Sequence, residues 1–224
     1  DGYTESKMNP AGSYMDMQWF SWTQIYPFIR GANLAILKLT ENEAGFDSAF
    51  TNRLLGEAYF MRGYFYSQLM RQFGGVVLTL SPFALEDEAA NPRASFEQTV
   101  NQIISDIDQS LILLADAPAN KSRAHKVTAL ALKARVLTHA ASDLYEPSKN
   151  SSISTIAGYS NKELVSYTSG SQAARWQAAK AASKALLDAT TGYKLDYSAP
   201  APFNEAVQNY EDIWYQGDQN QDYI

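Results

Sequence analysis

Aromatic side chains set in polar stretches are the residues of this chain best placed to meet a ligand. Tyr14 and Trp19 stand beside Asp16 and Gln18, and Tyr145, Tyr159 and Tyr167 flank or interrupt a stretch rich in Ser, Asn, Gly, Lys and Thr. A ring outside an apolar periodic run has no helix face to fill, so it can offer its π face and polar tip to a bound molecule. The competing role for each of these rings is that of a half-buried loop anchor. Other chemistry-bearing residue types do not assemble. With no cysteine, disulfides, thiolate nucleophiles and zinc-thiolate centres are excluded. His125 and His139 fall about four helical turns apart and make no metal pair. Asp106 and Asp108 lie two apart on a helix and point in different directions, while Glu86, Asp87 and Glu88 form a solvated loop run. No Ser-His-Asp set and no phosphate-cradling glycine pattern occurs. The inventory describes a binding protein rather than an enzyme, with no cofactor and no metal expected.

Composition narrows the partners. Acidic residues outnumber basic ones 24 to 18, for a net charge of −6, and no Lys/Arg cluster is dense enough to neutralise a phosphate backbone or an anionic lipid surface. Nucleic acid is therefore not expected as a partner. Hydrophobic residues at 46% against 19% charged place the chain among globular proteins, and no apolar run approaches the ~18 residues that a membrane-spanning helix requires. At 224 residues the chain can bury roughly 70% of its extended-chain surface, so a core needs no staples. The opening DGYTESKMNP has neither an initiator Met nor a basic n-region, and the termini read as processed or truncated.

The elements that must position the aromatics are helices. Phe20, Ile25, Phe28, Ile29, Ala32, Ile36 and Leu39 recur at three- and four-residue steps and predict a helix over 18–39, with Pro27 a candidate kink. A second helix is predicted over 47–73, its stripe Leu54, Ala58, Met61, Phe65 and Leu69, and Gly74-Gly75 stops it. Val76 to Leu80 reads as a short strand or extended connector. Ser95 with Gln98 forms a capping box that opens a third helix on the stripe Val100, Ile103, Ile107, Leu111 and Leu114, ended by Pro118. The fourth runs over 126–144, with Val127, Leu130, Ala134, Leu137 and Ala141 facing inward. After a long loop over 146–170, a fifth helix over 171–190 shows a small-residue face of Ala174, Ala178, Ala181 and Ala185, and Gly192 closes it. Trp22 and Trp176 sit on helical stripes and are assigned to the core, and Glu57, Arg62 and Arg71 are assigned to ion pairs between helices. Long helices with short connections pair antiparallel, giving a mainly all-α fold with a short strand or hairpin and long loops. The tail, with Phe203, Tyr210, Trp214 and Tyr215, shows no convincing stripe.

The second helix, LLGEAYFMRGYFYSQLMRQFGGVVL, closely resembles the central signature of the SusD/RagB family of Bacteroidota outer-membrane nutrient-binding lipoproteins. Glu57, Ala58, Phe60, Arg62, Tyr64, Tyr66, Arg71, Phe73 and Gly74 stand in its places. Trp22, Tyr26 and Asn33 resemble the family's Trp-Tyr-Asn helix, SRAHKVTALALKARVL its Ala-rich block, and ARWQAAKAASKALLDATTGYKL its later Trp-Ala helix with a Gly-Tyr-x-Leu end. The resemblance covers most of residues 15–197. It implies a helical domain of tetratricopeptide-like helix pairs over 1–197 and, over 198–224, the start of an incomplete C-terminal ligand-binding region.

The resemblance also implies an activity: capture of an oligosaccharide at the cell surface and its delivery to a TonB-dependent, SusC-like outer-membrane transporter barrel. In that setting the membrane is reached only through a lipid anchor whose cysteine this chain does not carry. Sugar capture requires an aromatic face against the C–H face of a pyranose and nearby polar groups for its hydroxyls. Tyr14 and Trp19 with Asp16 and Gln18, and then Tyr145, Tyr159 and Tyr167, are the sugar-binding candidates. A glycosidase would instead need two carboxylates about 5 Å or 6.5–9.5 Å apart across a cleft, for which the chain has no evident pair. The competing function is a tetratricopeptide-type scaffold whose ligand is a protein.

Overall fold

The structure, a computed structural model, describes residues 21–82, 92–116 and 122–190. The chain divides into two compact units, residues 1–183 and 184–224. The predicted loop as far as residue 91, the stops at Pro118 and Gly192, the tail aromatics and the region 198–224 lie outside the described residues. Four long helices build the first unit: α1 (Trp22–Glu41), α2 (Ser48–Phe73), α3 (Phe96–Leu113) and α4 (Lys126–Ala141). A 3₁₀ turn (Asp143–Tyr145), the one-turn helices α5 (Pro147–Asn150) and α6 (Ser154–Ala157), and a second 3₁₀ turn (Lys162–Leu164) lead to α7 (Gln172–Ala189). Of the second unit, residues 184–190 are described; there Lys184 Nζ donates to both carboxylate oxygens of Asp188 at 2.8 Å.

Helix starts follow local chemistry. Asp47 caps α2 by accepting the amide of Phe50 at 2.9 Å, and Ser95 and Gln98 form the reciprocal capping box that opens α3. At the far end of α1, Asn42 takes the left-handed conformation (φ 45°) that suits a C-cap asparagine.

The α2 helix is central, and the side chains that meet across it fix every neighbour as antiparallel. Trp22 meets Phe73 edge-on at 5.4 Å and Phe28 stacks on Phe65 at 5.3 Å, so α1 runs against α2. Gly56 lies under Leu113 and Gly63 under Asp106, so α3 does the same on the other side. Lys126 pairs with Asp116, and Lys133 with Asp108, which sets α4 against α3. Covered on two sides, α2 buries Ala58, Phe60, Arg62, Tyr66, Leu69 and Met70 rather than one stripe. That is why Met61, on the predicted stripe, sits on the outer face instead, 38% exposed, and Phe65 is only partly buried, against Phe28. On α3 the predicted Val100, Ile103, Ile107 and Leu114 are buried, each worth roughly 1.5–3 kcal/mol against exposure.

Val76 to Leu80 forms an extended connector, and no strand occurs among the described residues. A buried polar network holds it in place of a sheet. Arg62 donates from Nε and Nη2 to the two Asp106 oxygens at 2.9 and 2.6 Å, and from Nη1 to Asn33 Oδ1 at 2.9 Å and the Leu80 carbonyl at 3.2 Å. Asn33 Nδ2 and Tyr66 Oη both donate to the Thr79 carbonyl at 2.8 Å, and Tyr66 Oη accepts the Thr79 amide at 2.7 Å. Tyr26 Oη donates to the Val77 carbonyl at 2.8 Å, and Thr99 Oγ1 accepts the Val76 amide at 3.2 Å.

The connector starts at a crossing where only glycine fits. Gly75 donates to the Leu164 carbonyl at 2.6 Å and Ala94 donates to the Val76 carbonyl at 2.8 Å. A β-carbon on Gly75 would lie 2.1 Å from the Ala94 carbonyl oxygen, and one on Gly74, whose φ is 72°, would lie 2.1 Å from that of Leu164. Because backbone must move to relieve such overlaps, Gly75→Ala is expected to cost about 3 kcal/mol or more in urea denaturation. At the exposed α1 residue Gly31 a β-carbon would meet nothing within 4 Å, so alanine there should add roughly 0.5–1 kcal/mol of stability. Equal effects from the two substitutions would contradict this crossing.

Candidate functional site

Among the described residues, grooves open at two places on the long helices. The first, of about 310 Å³, is lined by Tyr26, Pro27, Ile29, Arg30, Thr79 and Ser81 and lies where α1 meets the connector. Its floor is apolar, and its Tyr26 hydroxyl is committed to Val77, burial pushing it up to about 12. The second groove, of about 220 Å³, lies between α2 and α4. Met70, Leu132 and Val136 supply its apolar walls, and Ser67, Gln68, Arg71, Arg135 and His139 its polar ones. Arg135 and His139 share a face of α4 at a four-residue step, as Gln68 and Arg71 do on α2 at a three-residue step. Ligand pockets commonly enclose roughly 300–1,000 Å³, so the first groove lies at the lower end of that range and the second suits part of a ligand rather than the whole of one.

Behind the second groove, His139 Nε2 lies 2.9 Å from Tyr145 Oη. Burial, with the Arg71 charge adding to it, holds the His139 pKa below its ordinary value. Burial pushes the Tyr145 hydroxyl up, opposed by Arg71.

Tyr145 and Tyr167 are 6% and 7% exposed, and both rings close on Phe96. Tyr145 stacks on it at 4.0 Å, Tyr167 meets it edge-on at 5.2 Å, and the Arg175 guanidinium sits 4.1 Å from the Tyr167 ring centre. The loop over 146–170 is thereby pinned. Ser166 Oγ and the Tyr167 amide both donate to the Tyr145 carbonyl, Asn150 Nδ2 donates to the Leu144 carbonyl, and Arg175 pairs with Glu146. Tyr159, at 36% exposure, keeps its ring at the surface. Tyr14, Asp16, Gln18 and Trp19 lie outside the described residues. The structure therefore brings Tyr145 and Tyr167 together, around Phe96.

Other assignments divide. Arg62 forms the expected interhelical pair, with Asp106, whereas Glu57 pairs with Arg123 in the loop that precedes α4. Arg71 forms no ion pair among the described residues: it bonds Gln68 of its own helix, at 3.3 Å, and faces the second groove. Trp22 packs on the core, whereas Trp176 is 44% exposed. On α7 the buried residues are Ala179 and Ala182, one position on from the predicted Ala178 and Ala181, because Arg175 anchors the helix to Tyr167 and Glu146. Asp106 and Asp108 diverge as expected, to Arg62 and to Lys133. Burial raises the Asp106 pKa, and Arg62 and then Gln102 pull it back. His125 sits at the α4 N-cap position, its Nδ1 2.7 Å from Thr128 Oγ1. Among the described residues no cluster of three or more metal-ligating side chains occurs. The second groove escaped notice in the sequence, although the Gln68/Arg71 and Arg135/His139 spacings carry it.

Antiparallel helix pairs packed about a central helix define the class as a helix-pair scaffold. The family described as "Starch-binding associating with outer membrane" matches residues 4–137, and the chain belongs to this SusD-like family. It is 31% identical over 141 residues to SusD-like protein P38 of Formosa agariphila, covering 62% of this chain and 26% of that protein. Among solved structures it is similar in fold to a laminarin-binding SusD-like protein (TM-score 0.54, 22% identity, 63% of this chain and 30% of that one). It is also similar in fold to a protein solved with a xylogluco-oligosaccharide (TM-score 0.61, 20% identity, 89% and 33%). The chain thus spans about a quarter of the curated relative and about a third of the structures.

The His139 environment has a measurable consequence. A depressed pKa in the folded state means that the unfolded chain binds the proton more tightly, so stability is full above the ordinary histidine range and falls as pH drops through it. Lowering pH from about 7.5 to about 5.5 should reduce the melting temperature, and His139→Gln should flatten that dependence. Identical pH slopes for the two proteins would contradict the assignment.

Proposed function

We propose that this chain is the helical scaffold of a cell-surface glycan-capturing protein, a lipoprotein of the outer membrane that hands oligosaccharides to a SusC-like, TonB-dependent transporter barrel. Residues 1–197 form the scaffold domain of this reading and 198–224 the beginning of a ligand-binding region. One observation carries it: the signature residues other than Arg71 are consumed in packing. Glu57 pairs with Arg123, Arg62 and Tyr66 hold the connector, Phe73 packs on Trp22, and Gly74 makes the crossing. What defines the family in this chain is thus the scaffold, and sugar recognition falls to loop aromatics. Tyr14 and Trp19, with Asp16 and Gln18 for hydroxyls, and the exposed Tyr159 are the proposed contacts; Tyr145 and Tyr167 hold the loop from beneath.

The relatives support the ligand class. One solved structure of this fold is described as laminarin-binding and another was solved with a xylogluco-oligosaccharide. No catalytic role is assigned, since capture by stacking and hydrogen bonding requires no acid-base pair. A protein-binding scaffold is the second reading, favoured by the exposed side of α1 and α2, where Phe28 (49% exposed) stacks on Phe65 beside Met61.

Titrating neutral oligosaccharides into the protein while following tryptophan fluorescence separates the two. Capture predicts a saturable change in emission, with affinity reduced about tenfold or more in Trp19→Ala or Tyr14→Ala. Tryptophans undisturbed by any oligosaccharide, with a transporter barrel still co-purifying, would favour the protein-binding scaffold.

A further inference from the structure

The groove between α2 and α4 has a charge pattern that folding does not explain. Arg62, Arg123 and Arg175 each meet a carboxylate, and Arg93 donates to the Phe73 and Gly75 carbonyls. Arg71 has only the neutral Gln68 at 3.3 Å, and the exposed Arg135 makes no hydrogen bond or ion pair among the described residues. Among the described residues no acidic side chain lines the groove, in a chain where acidic residues outnumber basic ones 24 to 18. Arg71 stands on α2 and Arg135 on the facing α4, so the groove carries a guanidinium on each of its two walls.

The remaining lining suits an anion as well. In the tautomer where the Tyr145 hydroxyl donates to His139 Nε2, the ring carries its proton on Nδ1 and remains a neutral donor. Gln68, nine-tenths buried, lends its carbonyl to Arg71 and leaves its amide group as a further donor. Met70, Leu132 and Val136 give the same groove an apolar wall. Guanidiniums recognise carboxylate and sulfate through paired N–H donors, and a space of about 220 Å³ takes one charged group with part of its ring.

We propose that Arg71 and Arg135, with His139 and Gln68, form an anion subsite that takes the carboxylate or sulfate group of an acidic oligosaccharide. The subsite rests on the glycan-capture reading and names its substrate class as charged sugars. It also gives Arg71 the role that the scaffold leaves open.

Calorimetric titration with three oligosaccharides of equal length tests it: a neutral cello-oligosaccharide, an oligogalacturonate and a sulfated galacto-oligosaccharide. Each is titrated into the unaltered protein, the double variant Arg71→Gln/Arg135→Gln and the charge-preserving double variant Arg71→Lys/Arg135→Lys, with melting temperatures confirming that each is folded. The expected result is that one acidic ligand binds roughly tenfold or more tightly than the neutral one, since charge-assisted hydrogen bonds are at stake. That preference should fall to about unity in the glutamine variant, recover in part in the lysine variant and weaken with added salt. Which acidic ligand is preferred distinguishes carboxylate from sulfate. An acidic preference that survives the glutamine variant, or none in the unaltered protein, overturns the subsite while leaving glycan capture standing. Binding of no oligosaccharide overturns the capture reading and the subsite with it, and Arg-dependent binding of a polyglutamate peptide instead would reassign the groove to a protein partner.

Discussion

A guanidinium is tolerated inside a protein only when its donors find acceptors, and the Arg62 group, 6% exposed at the centre of the first unit, dictates what surrounds it. Asp106 on α3 supplies the bidentate carboxylate, Asn33 on α1 an amide oxygen, and Leu80 in the connector a carbonyl. Three elements thus meet at one side chain of a fourth. Gly63, next to it on α2, brings α3 close enough for the pair, with Asp106 3.4 Å from where its β-carbon would be. Tyr66 and Tyr26 carry the same logic along the connector, pairing backbone groups that a β-sheet would otherwise satisfy. The connector is fixed by side chains from helices, and its crossing beneath residues 94 and 164 ties the later loop to the core.

Helices were legible in the sequence wherever one face alone is buried. The α3 stripe and its capping box, and the glycine stop of α2, follow from spacing and cap chemistry that operate within a few residues. The α2 stripe was less legible because that helix is covered from two sides, which brought Arg62, Gly63 and Gln68 inside and left Met61 outside. The α7 face turned by one residue because a cation-aromatic contact, invisible to hydrophobic periodicity, orients it. Similarly, the loop over 146–170 looked polar and long, yet Phe96, some fifty residues earlier in sequence, gathers Tyr145 and Tyr167 onto the core. Of the candidate ligand residues, spacing could nominate the aromatics but could not tell a ring that anchors a loop from one that meets solvent; Tyr159 is the one that the described residues place at the surface.

This division of labour shapes how such a protein can vary. Signature positions are bound into mutually dependent contacts, so a change at one strands its partners, whereas surface aromatics and grooves can change with little effect on folding. Arg71 is the exception among the signature positions: it reaches a groove instead of an ion pair, with Arg135 and His139 across from it. A family defined by its scaffold can in this way carry different ligand chemistries on the same helices.

The dependence of the fold on the Arg62–Asp106 pair is best measured by a double-mutant cycle in urea, using Arg62→Met, Asp106→Leu and the two combined. Removing either partner alone strands a buried charge and should cost about 3–5 kcal/mol, while the combined variant, which removes both charges, should be clearly more stable than the sum of the single losses implies. Single losses below about 1 kcal/mol, or losses that simply add in the combined variant, would contradict the account.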